Sequence, residues 1–115
     1  MVRFHRFDEL DEYSPAGHEG VVNRLLVGAD DGGEGAVSVW HGRLDPGGHS
    51  DVHTHPKSLQ IYVGVSGEMV VGDGTEEHRL LPMATAIFPA ATEHFIENRG
   101  TDVAEVLVIS APGLR

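Results

Sequence analysis

Two of the chain's eight histidines stand as His53-Thr54-His55, and in extended backbone residues i and i+2 project to the same face. Both imidazoles can therefore reach one divalent metal ion, for which imidazole nitrogen is a common ligand. Gln60 opens the apolar run Gln60-Ile61-Tyr62-Val63-Gly64-Val65 after the turn-like Pro56-Lys57-Ser58, so a strand leaving that turn can carry its carboxamide back beside the pair. A further imidazole, His94, follows Pro89-Ala90-Ala91-Thr92-Glu93, and it can join the others only if the sheet closes into a barrel. The chain has no cysteine, so any metal must be held by nitrogen and oxygen. Two residues are candidates for proton transfer beside such an ion. Tyr62 shares the strand face of Gln60, and His49, in an expected loop after Gly47-Gly48, is placed to reach the mouth of a cavity.

The elements that must position these groups are strands. Glycines fall in clusters between short apolar runs, and no stretch sustains the i, i+3, i+4 pattern of a long amphipathic helix. The pattern predicts strands near 2–7, 21–27, 36–44, 50–54, 59–66, 68–72, 77–81, 85–88, 93–98 and 103–110. Expected separators include Asp45-Pro46-Gly47-Gly48, Ser66-Gly67, Gly72-Asp73-Gly74 and Arg99-Gly100. Spacing of this kind suits a sandwich or a barrel. Residues 1–20 are expected to form an arm that covers a sheet edge, on this chain or on a second subunit, and residues 21–115 the barrel.

A chain of 115 residues is the size of one domain. Its 18 acidic residues against 8 Lys plus Arg give a formal charge of −10, which repels phosphate backbones and argues against nucleic-acid binding. Met1 leads into Arg3, His5, Arg6 and Asp8 with no apolar stretch behind them, and no run is long enough to span a bilayer. The expectation is a cytoplasmic protein with no membrane contact.

The histidine pattern resembles the cupin superfamily at both of its motifs. The first, Gly-x5-His-x-His-x3–4-Glu-x6-Gly, is matched by Gly47, His53, His55, Gln60 and Gly67, with Gln in place of Glu. The second, Gly-x5-Pro-x-Gly-x2-His-x3-Asn, is matched by Met83, Pro89, Ala91, His94 and Asn98, with both glycines replaced. The resemblance implies an all-β fold, a single-domain double-stranded β-helix (jelly-roll) barrel. It also implies one divalent metal ion on His53, His55, Gln60 and His94, with positions left open for water or a small-molecule substrate. A homodimer is expected from the resemblance and from strands that are apolar on both faces.

Zn, Ni, Fe, Mn and Co all accept such ligands. Gln60 carries no charge, so the ion keeps its full positive charge and non-redox work is favoured, with an oxygen polarised and a proton moved. The leading reading is an isomerase, cyclase or hydratase acting on a small carbonyl or enolisable compound, such as a sugar acid or polyketide. A cupin dioxygenase and a non-catalytic binding module are the alternatives. Trp40, Met69, Phe88 and Phe95 are expected to pack, Glu93 to face away from the ion, and Asn98 to support the barrel. The remaining histidines, His5, His18, His41 and His78, are expected at the surface or behind the ligands.

Overall fold

A computed structural model describes all 115 residues and contains nine strands. They are β1 (Glu12–Tyr13), β2 (His18–Val27), β3 (Ser38–Ser50), β4 (Leu59–Ser66), β5 (Met69–Gly72), β6 (Glu77–Leu80), β7 (Thr85–Phe88), β8 (Phe95–Glu97) and β9 (Ala104–Ala111). Every pairing between them is antiparallel. The order β6-β5-β8-β3-β9-β4-β7, with β2 also on β3, wraps the sheet into a nearly closed jelly-roll barrel. No helix is long and apolar enough to cross a membrane.

The long strand β3 joins the two layers. Ser38 to Leu44 pair with β9, and His49 then pairs with Glu97 of β8. The expected separator 45–48 is thus a bend inside one strand and not a loop between two. Gly47 takes the left-handed φ of 82° there, which glycine adopts without a steric penalty. Opposite it, β2 carries a bulge between Glu19 and Val21, a feature that sharpens local strand twist. A side chain at Gly48 would run into the carbonyl oxygens of Gly20 and Asp45. The predicted strand 50–54 reduces to a single bridge at His53, because its neighbour there is one residue, His94.

Asn98 fastens this bend. It is fully buried, and its Nδ2 donates to the carbonyls of Leu44 (3.0 Å) and Asp102 (2.8 Å). Its backbone exchanges bonds with Gly47 and Gly48. The inner faces of the strands supply the core, in which Val21, Leu44, Tyr62, Met69, Val71, Leu80, Phe88, Ile96, Ala104 and Val106 pack together. Alternation along β4 shows the rule directly: Gln60, Tyr62 and Gly64 are buried, and Ile61 and Val63 only partly so.

Residues 2–7 form no strand. The segment lacks a pairing partner and instead runs into a 3-10 turn at Phe7–Glu9. Phe7 meets His41 edge-on at 4.8 Å, lies under the Arg24 guanidinium, and gives its carbonyl to Arg24. β1 then covers the edge of β2 in the same chain. The barrel strand β2 begins at His18, inside the segment read as the arm.

Candidate metal centre

The first and second motifs meet through a pair of backbone hydrogen bonds. The His53 N–H donates to the His94 carbonyl (3.0 Å) and the His94 N–H to the His53 carbonyl (2.9 Å). This antiparallel bridge fixes the two imidazoles side by side, with ring centroids 4.3 Å apart. His55 follows two residues later on the same face, 5.0 Å from His53 and 5.4 Å from His94 by ring centroid. The ligand atoms of His53, His55 and His94 all lie within 4.8 Å of one another. Gln60 enters from β4, and its carboxamide oxygen is 2.6 Å from His94 Nε2. The structure thus brings together all four residues expected to meet.

Hydrogen bonding prepares two of the rings. Nδ1 of His53 lies 2.8 Å from the Asp51 carbonyl, and Nδ1 of His94 lies 2.9 Å from the Thr92 carbonyl. A carbonyl only accepts, so each Nδ1 bears the proton and each neutral ring offers an Nε2 lone pair. Burial, reinforced by the neighbouring histidines, pushes His94 down to about 4. Burial also lowers His55, with His53 and His18 adding to the effect. These groups are held in the form that binds metal.

His94 Nε2 and Gln60 Oε1 are then two acceptors in contact. A cation between the donors resolves that conflict, as does an amide rotation that turns Gln60 Nε2 toward the ring. In the orientation present, Gln60 Nε2 donates to Ser110 Oγ at 2.9 Å and aims the oxygen at the histidines. The donor set fits a divalent ion with three imidazoles and one amide oxygen. Phe88 stacks on His94 at 4.6 Å and 18°, holding the ring plane.

The site opens on a cavity of about 520 Å³ lined by His18, Trp40, Tyr62, Ile96, Val108 and Arg115, among others. A second concavity of similar size, about 530 Å³, lies across β5, β6 and β7 and contains none of the three histidines. Tyr62 is 3% exposed, with its ring 5.8 Å from His94, and burial pushes its hydroxyl well above the ordinary phenol value. Trp40 is buried in the same wall, and its Nε1 is the one buried side-chain polar atom without a partner. Glu93 is exposed, and Met69 and Phe88 belong to the core.

His49 does not line this cavity. Because β3 continues through residues 45–48, alternation puts His49 on the face opposite the buried Gly48 and Ser50. Its Nδ1 contacts the Gly47 carbonyl at 3.1 Å, and its cross-strand neighbours are Glu19 and Glu97. Outside the ligand set, the histidine that reaches the cavity is His18, with its ring 5.9 Å from His53. The sequence signal for His18 is its register opposite Ser50, which only the β2–β3 pairing reveals.

The two motif positions that lost glycine keep the glycine conformation. Met83 has φ 66° and Ala91 has φ 64°. Ala91 N–H donates to the His55 carbonyl at 2.9 Å, so the strained turn anchors a ligand-bearing residue.

A nearly closed jelly roll with three histidines converging inside its mouth defines the class, and a family model described as a cupin domain matches residues 40–110. The chain belongs to the cupin family. Over 82 residues it is 34% identical to germin-like protein subfamily 2 member 2 of Arabidopsis thaliana, a match covering 65% of this chain and 37% of that relative. The chain therefore spans well under half the length of the curated relatives it matches. A predicted oxalate decarboxylase from Thermotoga maritima superposes with a TM-score of 0.84 at 23% identity, over 95% of this chain and 98% of that one. A sugar phosphate isomerase of the cupin superfamily from Silicibacter pomeroyi gives 0.79 at 25% identity, over 95% and 75%.

Proposed function

We propose that this cupin is a non-redox metalloenzyme that isomerises, cyclises or hydrates a small carbonyl or enolisable compound, such as a sugar acid or polyketide, in the cavity over His53, His55, Gln60 and His94. A divalent ion held by those residues, Zn, Ni, Fe, Mn or Co, would supply Lewis-acid polarisation of an oxygen. The observation that carries the reading is the charge of the donor set: three neutral imidazoles and an amide, with no carboxylate among them. A carboxylate ligand helps to stabilise a ferric state, whereas a neutral set leaves more positive charge available to an oxygen drawing electrons. The solved sugar phosphate isomerase with the same fold is in keeping with this chemistry.

The chain's own residues have separable roles. Ser110 orients the Gln60 amide, Thr92 and Asp51 fix the rings of His94 and His53, and Phe88 supports His94. Tyr62 keeps its proton at neutral pH, so it serves as a hydrogen-bond or proton donor to a developing oxyanion. Val108, Ile96 and the Trp40 ring exclude water from one side of the cavity. The proposal includes a cytoplasmic location and a homodimer. Supporting the dimer, Ile87 is 62% exposed on β7, which ends the strand order with an unpaired edge.

Metal analysis of protein purified without nickel resin tests the reading. One divalent ion per chain is expected, and His55→Ala should lose most of it while the barrel stays folded. A wild-type chain that holds no stoichiometric metal and gains none on dialysis overturns the proposal. Oxygen consumption by the iron-loaded chain with a flavonol or diketone would replace it with a dioxygenase.

A further inference from the structure

We infer that His18 is a ligand-recognition residue of the cavity, whose Nε2 accepts a hydrogen bond from a proton-bearing oxygen (a hydroxyl or an enol) of the compound bound beside His53. The inference rests on the reading of the cavity as a metal site that takes a small oxygen ligand. It adds the chemical class that the free part of that ligand must present.

His18 lies outside residues 40–110, which the family model matches, and outside both histidine motifs. It opens β2 opposite Ser50, is half-buried, and lines the same cavity as His53 and His55. Its Nδ1 is 2.8 Å from the Ala16 carbonyl. A carbonyl has no proton to give, so Nδ1–H is the donor and the neutral ring presents an acceptor at Nε2.

No neighbouring group supplies the matching donor. Asp51 is a carboxylate, and His53 has committed its Nδ1 proton to the Asp51 carbonyl. His49 shares the preference for a carbonyl two residues back but sits outside the cavity. His18 is also absent from the cluster of ligand atoms that lie within 4.8 Å of one another. It therefore borders the ion's position without entering it, one ring beyond His53. A lone pair so placed attracts an O–H and repels the lone pairs of a carbonyl or carboxylate oxygen. The compound that suits both parts of the cavity is an α-hydroxy or enolic acid or ketone, with one oxygen for the ion and a hydroxyl for His18.

The test uses the full chain loaded with Zn²⁺ and calorimetric titration of two probes, glycolate and methoxyacetate, which differ by the hydroxyl proton. The wild type is expected to bind glycolate about tenfold more tightly, the contribution of one good hydrogen bond. His18→Ala should keep one zinc per chain and lose the preference. His18→Gln, whose amide oxygen accepts, should keep part of it. His18→Leu, which fills the volume without an acceptor, stands in if the alanine variant does not fold. Equal affinity of the wild type for the probes, binding of neither, or a preference that survives His18→Ala or His18→Leu overturns the inference. Loss of zinc in the acceptor-free variants makes His18 a ligand and overturns it as well. A wild type that binds no zinc instead strikes at the metal reading itself.

Discussion

Three turns of this barrel share a backbone conformation and reach it with different residues. At the β3 bend Gly47 has φ 82°, and at the second-motif turns Met83 and Ala91 have φ 66° and 64°. The residue that has no such choice is the neighbour of Gly47, Gly48. Beside Gly47, Gly48 is pressed against the Gly20 and Asp45 carbonyls and has no room for a side chain, whereas a Cβ at Gly47 itself would meet nothing. Met83, by contrast, is 81% exposed, and its side chain meets little resistance beyond the intrinsic cost of a left-handed residue. Close backbone approach dictates glycine, whereas a positive φ alone only favours it.

The largest test of that distinction is Gly48→Val. A branched side chain there must displace two backbone carbonyls, and a loss of about 3 kcal/mol or more is expected in urea unfolding. A change under about 1 kcal/mol would mean that the bend relaxes freely. Next is Asn98→Ala, which removes the buried donor shared by Leu44 and Asp102. Orphaning the buried Leu44 carbonyl at the bend should lower stability by about 2–3 kcal/mol. If Asn98→Ala is neutral, the backbone bonds of residue 98 to Gly47 and Gly48 hold the bend without its side chain.

The ligand histidines offer a smaller effect, read through pH in the metal-free chain. His94 is pushed from 6.5 down to about 4, so below pH 6.5 the unfolded chain takes up a proton that the folded chain refuses. Stability from this group is complete above about pH 6.5 and is lost as pH falls through about 4. Thermal melts of the metal-free wild type should decline across that window, and His94→Gln should flatten that part of the decline. An identical slope in both proteins would place the acid sensitivity elsewhere.

Local pattern made part of this legible. The runs 59–66 and 85–88 were bounded by turn residues and became β4 and β7 with the same limits, because an alternating strand with an apolar inner face declares itself in sequence. The four residues His53, His55, Gln60 and His94 were legible from motif spacing, although the last joins the others only through a bridge of two backbone hydrogen bonds. Non-local pairing hid the rest. Asp45-Pro46-Gly47-Gly48 has the composition of a loop, yet pairing with β2 and β8 resumes at His49 directly beyond it, so the segment is a bend within β3. That error carried His49 to the wrong face. Residues 2–7 have the apolar content of a strand but no partner, and His18 gains its place only from register with Ser50.

The smallest expected effect bears most directly on the opening contrast. If Met83 and Ala91 are tolerated at a cost and not required, then Met83→Gly and Ala91→Gly should each stabilise the chain. Relief of the left-handed strain is worth about 1–2 kcal/mol, and the added freedom of glycine in the unfolded chain returns about 0.5–1 kcal/mol of it. A net gain of about 0.5–1 kcal/mol per site follows from that difference, measurable as a rise in the denaturation midpoint with an unchanged slope. Ala91→Gly carries a second readout, since its N–H holds the His55 carbonyl: the turn should persist, and zinc stoichiometry with it. Destabilisation at Met83 would show that its side chain is covered in solution.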